Sequence, residues 1–424
     1  MLFLLLLLLL LLLSAKLIPS FLINNNNNNN NDNNFAFQSC RRLCFHSRHH
    51  ALLGDDDVKN TNEQQQSKQL LSYVPSNIFI GGLGYVGSRL ASAFHDAYPS
   101  ARISGTVRST ERRDGLLAST TTKKPSWLTG DVHVLDIDNS YIGLDSNGVD
   151  DLLNADTIIQ TVAPIADFDR DPILAFHGDS LSSSSSSSAL QYVAYISSTG
   201  VYGNHDGEWV DEEDDAAFFS DESSVLVLRC TDAKSLARIQ AEKEWGKLER
   251  CNKEEEEEPR VPLPRVDCFR CGGIYGPGRG PLFSSLESLT EAAAATMTDD
   301  TQNTDLPVKY VNRIIVDDIC SAILCGVGGK RPFYSGGRAY NLVDDDPAPR
   351  RAVVAEARRL ILLKDNPAGD ATTTTTVSPT ATKNTRRRIS RGTGNKRCRN
   401  TRLKTEYKWT PTAPTFREGL ASLL

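Results

Sequence analysis

Short apolar runs and amphipathic stretches alternate along the chain from about residue 77 onward. The first apolar run covers residues 77–80, and from Ser88 apolar residues recur at helical spacing. Later apolar runs that predict strands cover residues 101–109, 131–138, 155–164 and 190–199. Because helical patterns separate several of these runs, the order predicts an α/β fold. We expect a doubly wound parallel sheet of the Rossmann type, with its ligand at the carboxyl ends of the strands.

A glycine-rich turn, GGLGYVG at residues 81–87, lies between the first predicted strand and the first helix. It satisfies both G-x-x-G-x-x-G and G-x-G-x-x-G, so backbone without side chains lies where a pyrophosphate must approach. The helix that follows directs its free N–H groups and positive dipole end at that phosphate. The alternative is a purely structural turn. The strand, turn and helix together favour a dinucleotide-binding site formed by Gly81, Gly82, Leu83, Gly84, Tyr85, Val86 and Gly87.

The end of the second predicted strand bears on the choice of nicotinamide coenzyme. An NAD site usually has an acidic residue about 20 positions after the glycines, whereas here Arg108 follows the sequence GTV. An arginine and a hydroxyl at this point suit a 2′-phosphate, which favours NADP and leaves NAD as the alternative. We also expect Asp136 beside the adenine, and Thr161 and Val162 beside the coenzyme at the end of the fourth strand.

Composition limits the partners of the chain. Hydrophobic residues make up 39% of 424 residues, and the deficit lies in tracts of Asn, Ser, Thr and Glu, which leaves a core of roughly 300 residues. The net charge of -6, without a basic stripe that contains aromatic residues, argues against nucleic acid as a partner and leaves a small-molecule substrate. The nine cysteines include one CxxC, Cys268 and Cys271, which we interpret as buried thiols rather than metal ligands.

The first residues have the pattern of a targeting sequence. A leucine run that ends at Lys16 is short for a membrane span and is typical of a secretory signal, with a signal anchor as the alternative. After an asparagine tract comes FAFQSCRRLCFHSRHH, which is basic and lacks acidic residues. This order resembles the bipartite presequences of plastids bounded by extra membranes, as in algae of the diatom type. We therefore expect a plastid protein without a stable membrane span after processing, with plain secretion as the alternative.

Three segments are expected. Residues 1–70 form the presequence and a low-complexity segment, residues 71–275 the NAD(P)-binding Rossmann domain, and residues 276–424 a small α/β substrate lobe with inserted flexible loops. The serine tract at 182–188, the acidic run at 254–258 and the Thr-rich and basic stretch at 363–391 are interpreted as surface insertions. The oligomeric state is left open by the sequence.

Five motifs in order carry a family resemblance. They are GGLGYVG, SSTGVYG (197–203), CGGIYGPGRG (271–280), VNRIIVDDI (311–319) and YNLVDDDPAPRR (340–351). Together with the closing NKRCRNTRLKTEYKW, they resemble the extended short-chain dehydrogenase/reductase superfamily. Within it they are most similar to the atypical, YeeZ-like branch of the NAD-dependent epimerase/dehydratase group. The resemblance covers residues 77 to 424.

The resemblance implies a catalytic hydroxyl and reveals a departure from the family pattern. Ser198, with Thr199 as its neighbour, matches the Ser/Thr that hydrogen-bonds a substrate carbonyl while hydride moves to or from nicotinamide. The usual Tyr-x-x-x-Lys on the next helix is missing, since Lys234 stands at the tyrosine position and Arg238 at the lysine position. Arg238 can still offer a fixed charge to the coenzyme, and either Lys234 or Tyr202 is the candidate replacement acid.

The remaining motifs suggest a substrate side of the cleft. The strand and turn around GIYGPGR are expected to direct Arg270, Tyr275 and Arg279 there, with Arg279 as an anion contact. Asn312 and Arg313 match the family's Asn-Arg pair and are expected to line the cleft. The two aspartates that follow, Asp317 and Asp318, are interpreted as helix caps.

Two functions from different classes fit these observations. The first is an NAD(P)-dependent oxidoreductase or epimerase-like enzyme for a small carbonyl or sugar-type substrate. The second is a non-catalytic NADP-binding redox sensor or assembly factor that has lost its proton donor. The absent tyrosine favours the second, and the retained SST, GIYGPGR and NRI motifs favour the first.

Overall fold

The computed structural model describes ten stretches of the chain, all within one compact unit that runs from Asn60 to Leu424. They are residues 73–118, 125–137, 143–165, 170–184, 190–212, 232–249, 264–284, 308–329, 337–365 and 394–424. The predicted presequence and the acidic run therefore lie outside the described residues, as does most of the Thr-rich stretch.

Thirteen strands occur in the described residues. In chain order they are β1 Asn77–Gly81, β2 Arg102–Val107, β3 Val132–Val134, β4 Thr157–Gln160, β5 Tyr192–Ser198, β6 Trp209–Val210, β7 Arg265–Cys271, β8 Gly273–Tyr275, β9 Tyr310–Val311, β10 Arg313–Ile315, β11 Arg338–Leu342, β12 Ala348–Pro349 and β13 Arg397–Cys398.

Several α-helices accompany these strands in the described residues. They are α1 Tyr85–Ala97, α2 Thr110–Leu117, α3 Ser146–Leu153, α4 Pro172–Ser184, α5 Ala233–Gly246, α6 Val316–Gly328, α7 Arg350–Asp365, α8 Thr401–Tyr407 and α9 Phe416–Ala421. Short 3₁₀ helices cover Thr199–Tyr202 and Lys247–Glu249. Helix α1 begins three residues before the predicted Ser88, and α4 extends into the serine tract as far as Ser184.

Seven strands form one parallel sheet in the order β11-β7-β5-β4-β1-β2-β3. Every neighbouring pair is parallel, so all seven carboxyl ends lie at the same edge. The order runs outward in both directions from β1 and β4, and the crevice of a doubly wound sheet opens at that reversal. The predicted Rossmann-type fold is confirmed.

Alternating residues along each strand bury the two faces of the sheet. Ile78 and Ile80 of β1 pack on the face covered by α1 and α6, whereas Phe79 packs on the opposite face with α3, α4 and α5. Strands buried on both faces are expected in a parallel sheet that helices cover on both sides. Each fully buried side chain of this size contributes about 1.5–3 kcal/mol.

Short strand pairs and the last helices build a smaller region beyond the sheet. Strand β8 pairs with β10 and β6 with β13, both parallel, and β9 pairs with β12 antiparallel. Helix α9 begins at a capping box formed by Thr415 and Glu418. Every helix in the described ranges is too short or too polar to span a lipid bilayer.

The two aspartates at the start of α6 are not caps, which corrects the sequence interpretation. The N-cap is Ile315, and within the ranges that the structure describes no side chain makes a capping hydrogen bond there. Asp318 is buried and instead accepts hydrogen bonds from the backbone N–H groups of Thr412 and Ala413, at 2.7 and 3.1 Å. Asp317 is exposed and lies 3.7 Å from Arg89. The buried carboxylate thus attaches the segment before α9 to α6.

Candidate functional site

The glycine turn adopts a conformation and a packing that require glycine. Gly82 has φ +90°, and a Cβ there would lie 2.7 Å from both Thr161 Oγ1 and Val162 Cγ2. A Cβ on Gly87 would lie 1.9 Å from the carbonyl oxygen of Gly82. The turn therefore packs tightly against the end of β4 and against the start of its own helix. Thr161 and Val162 lie beside the turn, as expected of residues next to a coenzyme.

Two threonines hold the turn in place. The N–H of Gly82 donates to Thr106 Oγ1 at 2.8 Å, and the N–H of Leu83 donates to the Thr106 carbonyl at 2.7 Å. On the other side, Thr161 Oγ1 lies 2.9 and 2.8 Å from the carbonyl oxygens of Gly81 and Gly82. Sequence reasoning noted Thr106 only as part of the strand end. Thr106 is buried beneath the glycine turn, and this supporting role was not predicted from the sequence.

The start of α1 is open where a pyrophosphate would approach. Gly84 is the N-cap, and no side chain among the described residues makes a capping hydrogen bond to this end of the helix. A Cβ on Gly84 would meet nothing within 4 Å, in contrast to Gly82 and Gly87. Backbone N–H groups at an uncovered helix N-terminus bind anions, so the residues present fit the diphosphate of a nicotinamide dinucleotide.

Gln160 and Asp171 form a buried polar pair beneath the turn that sequence reasoning missed. A Cβ on Gly81 would lie 2.1 Å from Gln160 Oε1. Gln160 Nε2 donates to both carboxylate oxygens of Asp171, at 2.9 and 2.8 Å. Burial raises the pKa of Asp171 to about 7, although hydrogen bonds from Gln160 and from the N–H groups of Ile173 and Leu174 oppose that rise.

Arg108 and Asp136 lie beyond the ends of adjacent strands. Arg108 follows β2 and is exposed, and Asp136 lies two residues after β3 and is half-buried. The N–H of Leu135 donates to the carbonyl of Val107 at 2.8 Å, so β2 and β3 remain hydrogen-bonded to each other up to their carboxyl ends. Both side chains thus belong to the edge of the sheet that carries the glycine turn. Their contacts with an adenosine phosphate stay predictions.

The GIYGPGR turn lies over the first residue of α1. Tyr85 Oη donates to the carbonyl of Pro277 at 3.2 Å, and the guanidinium of Arg279 lies 5.0 Å from the centre of the Tyr85 ring. Partial burial raises the pKa of the Tyr85 phenol. The structure therefore brings Arg279 next to the glycine turn, where it is exposed. Contact of Arg279 with a substrate anion stays a prediction.

Two adjacent serines at the end of β5 have different surroundings. Ser198 is half-buried, and its hydroxyl accepts a hydrogen bond from the N–H of Gly200 at 3.1 Å. Ser197 is buried and donates to the carboxylate of Glu242 on α5. Thr199, also buried, begins the 3₁₀ helix. The hydroxyls of Ser198 and Ser235 lie 3.4 and 3.0 Å from the position of a Cβ on Gly200, so α5 packs close to the predicted catalytic residue.

Arg270 is fully buried and does not face the substrate side, which corrects the expectation from its motif. Its guanidinium pairs with Glu242 at 2.9 Å, and both side chains have zero exposure. It also lies 4.9 Å from the centre of the Tyr202 ring. The Glu242–Arg270 ion pair thus contacts both sides of the 3₁₀ helix. Glu242 accepts a hydrogen bond from Ser197, which precedes that helix, and Arg270 lies over Tyr202, the last residue of that helix. A charged residue within the apolar run VDCFRC was the sequence signal for such a partner.

Tyr202 lies in the interior and not at an open cleft. Its side chain has zero exposure, and its hydroxyl donates to Asn341 Oδ1 at 2.9 Å. Because burial and this hydrogen bond commit the phenol to the fold, Tyr202 is a poor candidate for the replacement acid.

Lys234 and Arg238 occupy the first turns of α5. Lys234 is exposed, and Arg238 is half-buried. Arg238 Nη1 donates to the Lys234 carbonyl at 3.1 Å, so its guanidinium turns back towards the start of the helix. The N-cap is Asp232, whose carboxylate accepts from the N–H of Ser235 at 3.0 Å. The structure therefore brings two cations to the helix end that packs near Ser198.

Asn312 and Arg313 hold the fold together at backbone groups. Asn312 is buried, donates to the Lys396 carbonyl at 3.2 Å and accepts from the Cys398 N–H at 2.8 Å. Arg313 Nη1 donates to the carbonyls of Val311 and Ala348, at 2.8 and 3.0 Å. Burial lowers the pKa of Arg313. The predicted lining of the cleft by these two residues stays a prediction.

Tyr275 is likewise directed into the smaller region and not towards the substrate side as expected. It is 2% exposed and packs with Phe416 and Leu420 of α9. Burial raises the pKa of its phenol.

The cysteines of the CxxC motif are free, buried thiols in β7, which confirms the interpretation from the sequence. Burial raises the pKa of Cys271 to about 12 and that of Cys268 well above the usual value, so neither readily forms a thiolate.

No protein-family model matches the sequence, and no curated protein matches it either. Solved structures do. A conserved protein of unknown function from Silicibacter pomeroyi is 24% identical, with 82% of this chain and 98% of that chain covered and a TM-score of 0.52. A dTDP-glucose 4,6-dehydratase from Bacillus anthracis, in complex with NAD, is 14% identical over 82% and 95% of the two chains, with a TM-score of 0.52.

A third similar structure is the terminal R domain of the myxalamid PKS-NRPS biosynthetic pathway. It is 16% identical over 83% of this chain and 90% of that domain, with a TM-score of 0.52. At these identities the likeness concerns the fold. The chain has the fold of the extended short-chain dehydrogenases/reductases and of the epimerase/dehydratase group, as the motifs predicted. The YeeZ-like branch stays a prediction.

Proposed function

We propose that the protein is an NADP-dependent oxidoreductase or epimerase-like enzyme that acts on a small carbonyl or sugar-type substrate. One observation carries the proposal. The open glycine turn after β1, Thr161 after β4 and Ser198 at the end of β5 all lie at the carboxyl edge of three adjacent parallel strands. This edge is where a doubly wound sheet binds its ligand.

The residues at this edge of the sheet have separate roles in binding the coenzyme and the substrate. When bound, the nicotinamide coenzyme supplies or accepts the hydride. The N–H groups at the start of α1 hold the diphosphate, and Arg108 holds a 2′-phosphate. The Ser198 hydroxyl donates a hydrogen bond to the substrate oxygen and stabilises the negative charge that develops there when a carbonyl is reduced.

Lys234 is the candidate proton donor in place of the missing tyrosine. Its ammonium is exposed at the end of α5 that packs beside Ser198 and Gly200. In the reducing direction, hydride adds to the carbonyl carbon and Lys234 donates a proton to the oxygen, which gives the alcohol and a neutral amine. Arg238 contributes a fixed positive charge only.

Turnover with single variants tests the assignment. NADPH oxidation is measured across a panel of small aldehydes, ketones and keto sugars with the wild-type chain, Ser198→Ala and Lys234→Ala. Loss of one hydrogen bond to a developing oxyanion lowers turnover about 100-fold, and we expect this for Ser198→Ala. Lys247→Ala, an exposed lysine at the far end of α5, is the matched control and should leave turnover unchanged. Turnover that survives Ser198→Ala would contradict the proposal.

Coenzyme preference is tested by binding. We expect NADPH to raise the unfolding temperature more than NADH does, and Arg108→Ala to remove that difference by weakening NADPH binding about tenfold. Arg113→Ala, a partly exposed arginine on α2 that pairs with Asp114, is the control. An equal response of the wild-type chain to both coenzymes, or no response to either, would contradict the preference for NADP assigned to Arg108.

A specific observation favours the second function, a non-catalytic NADP-binding redox sensor or assembly factor. Lys234 and Arg238 replace the tyrosine and lysine of the usual site, and Tyr202, the nearest phenol, is buried. NADPH binding without turnover on any carbonyl, together with an unchanged affinity for NADPH in Ser198→Ala, would support this function over the enzyme.

The plastid is the proposed location, and it rests on the sequence of residues 1–70 alone. Fusion of these residues to a fluorescent protein in an alga with a multiply bounded plastid tests it. Fluorescence in the plastid supports the proposal, and fluorescence in the secretory pathway or the medium contradicts it.

A further inference from the structure

Two arginines and two aromatic rings cluster where β6 and β13 pair. Trp209 lies opposite Arg397 in the register of this parallel pair, Arg399 follows two positions later, and Tyr310 of β9 packs against Gly207. We call Trp209, Tyr310, Arg397 and Arg399 the ribbon site. Trp209 follows the loop that continues beyond Ser198 and Tyr202. The proposed function does not use the ribbon site.

Arg397 is fixed in orientation by its stacking contacts. Its guanidinium lies over two rings, 5.0 Å from the centre of Trp209 and 4.8 Å from that of Tyr310. Its Nε donates to the carbonyl of Gly207 at 2.7 Å. Across the described part of the chain, neither of its Nη groups makes a hydrogen bond or an ion pair. Two donors of a rigid, planar fork therefore stay available to a ligand.

Arg399 brings a second guanidinium to the same ring. It lies 5.2 Å from the centre of Trp209, and its Nη1 is 3.6 Å from Asp211 Oδ2, which is too long for a direct hydrogen bond. The Arg399 side chain is 47% exposed and that of Asp211 33%, so water screens this ion pair. The ribbon site thus holds two positive charges near one indole, and Asp211 balances that of Arg399 only weakly.

Two stacked guanidinium groups with free donors match the geometry of a phosphate. Arginine forms bidentate, charge-assisted hydrogen bonds to phosphate oxygens, and stacking on aromatic rings removes the entropy cost of ordering the side chain. A bound dianion would also relieve the repulsion between Arg397 and Arg399. We propose that the ribbon site binds a phosphate group, either inorganic phosphate or the phosphoryl end of a small metabolite, and that it is separate from the glycine turn.

Trp209 makes the proposal measurable without any turnover. It is one of four tryptophans and lies in contact with both arginines. Inorganic phosphate is titrated into the full chain at constant ionic strength, with chloride as the balancing anion, and tryptophan fluorescence is recorded. We expect a saturable change that Trp209→Phe abolishes. The titration is then repeated with glycerol phosphate. A lower midpoint for glycerol phosphate than for inorganic phosphate identifies the phosphoryl end of a metabolite as the ligand, and a lower midpoint for inorganic phosphate identifies the free ion.

Arg399→Gln is the main variant, because the Arg399 side chain is exposed and makes no hydrogen bond within the described residues, while its backbone groups keep their bonds to Val210 and Asn341. Loss of its charge-assisted hydrogen bonds should raise the phosphate midpoint at least about tenfold. Arg359→Gln, an exposed arginine paired with Glu356 on α7, is the matched control and should leave the midpoint unchanged. Arg397→Lys keeps the charge but loses the fork, and it should weaken binding to a similar extent.

Several outcomes would overturn the proposal. They are the absence of a saturable change, a midpoint that Arg399→Gln leaves unchanged, and a fluorescence change that persists in Trp209→Phe. The titration is repeated with saturating NADPH. A persistent response supports a separate site, and its disappearance would mean that the phosphate had bound where the coenzyme binds.

Discussion

Two ends of the same sheet edge are built in different ways. At the glycine end, comprising the turn 81–87 with Thr106 and Thr161, backbone groups do most of the work and glycines make room for them. At the serine end, comprising residues 197–202 and the facing side of α5, a buried ion pair between Glu242 and Arg270 holds the structure. The glycine end therefore has little room for side chains, whereas the serine end depends on the side chains of Glu242 and Arg270.

The largest expected effect lies at the serine end. Arg270→Met leaves the Glu242 carboxylate buried without its cation, so we expect the free energy of unfolding to fall by about 4 kcal/mol in urea denaturation. The double variant Arg270→Met, Glu242→Gln should recover much of that loss because no buried charge remains. Arg102→Met removes an arginine whose ion pairs are partly exposed and should cost less than about 1 kcal/mol. Equal losses for Arg270→Met and Arg102→Met would remove the distinction between the two ends.

At the glycine end, two alanine substitutions should separate folding from binding. Gly87→Ala places a Cβ 1.9 Å from the Gly82 carbonyl, and we expect it to lower the free energy of unfolding by about 3 kcal/mol. Gly84→Ala meets nothing within 4 Å, so it should cost less than about 1 kcal/mol while it weakens NADPH binding, because the methyl group occupies the approach to α1. Urea denaturation and thermal shift with NADPH measure the two effects. A Gly84→Ala variant that binds NADPH normally would contradict this view of the turn.

A pH dependence is expected at the glycine end. Burial raises the pKa of Asp171 from 3.8 to about 7 in the folded chain, so the folded state binds a proton more tightly than the unfolded state does. Its contribution to stability is complete below the unfolded pKa and is lost as the pH rises through about 7. Between pH 5 and pH 7 the free energy of unfolding should fall by about 2 kcal/mol more in the wild-type chain than in Asp171→Asn. Parallel pH profiles for the two chains would count against the shift.

The smallest expected effect compares the two adjacent serines. Ser197→Ala removes a hydrogen bond to the buried Glu242 carboxylate and should lower the free energy of unfolding by about 1.5 kcal/mol with little change in coenzyme binding. Ser198→Ala should lower the free energy of unfolding by less than about 1 kcal/mol, since Ser198 is half-buried and only caps a short 3₁₀ helix. Urea denaturation of both variants checks the order, and a larger loss for Ser198→Ala than for Ser197→Ala would contradict this comparison.

The structure of the glycine end could be predicted from the sequence because its contacts are local. A strand, a glycine turn and a helix follow one another within about twenty residues, and the close approaches occur between neighbours or at the adjacent strand. The doubly wound parallel sheet followed from the alternation of predicted strands and helices along the chain. Ser198 was found through its motif, and its surroundings in the structure agree with a position near the sheet edge.

The serine end was not readable because its contacts join distant parts of the chain. Arg270 was expected at the substrate side, yet its partner Glu242 lies 28 residues earlier, and their pairing depends on how α5 is rotated against the sheet. Asn312 was expected in the cleft, but its partners are the backbone groups of Lys396 and Cys398. A motif that names residue types does not indicate whether a polar side chain serves a ligand or a backbone group.

The pairing of β6 with β13 has a consequence for biosynthesis. Trp209 and Arg397 are far apart in the sequence but adjacent in the structure, and Asn312 fixes the same strand from a third position. On the ribosome, the central strands can assemble early, whereas the loop after Tyr202 lacks its neighbour until residue 398 has emerged. Contacts of such long sequence separation form slowly. The nascent protein therefore completes its ribbon site only after the strands of the central sheet have been synthesised.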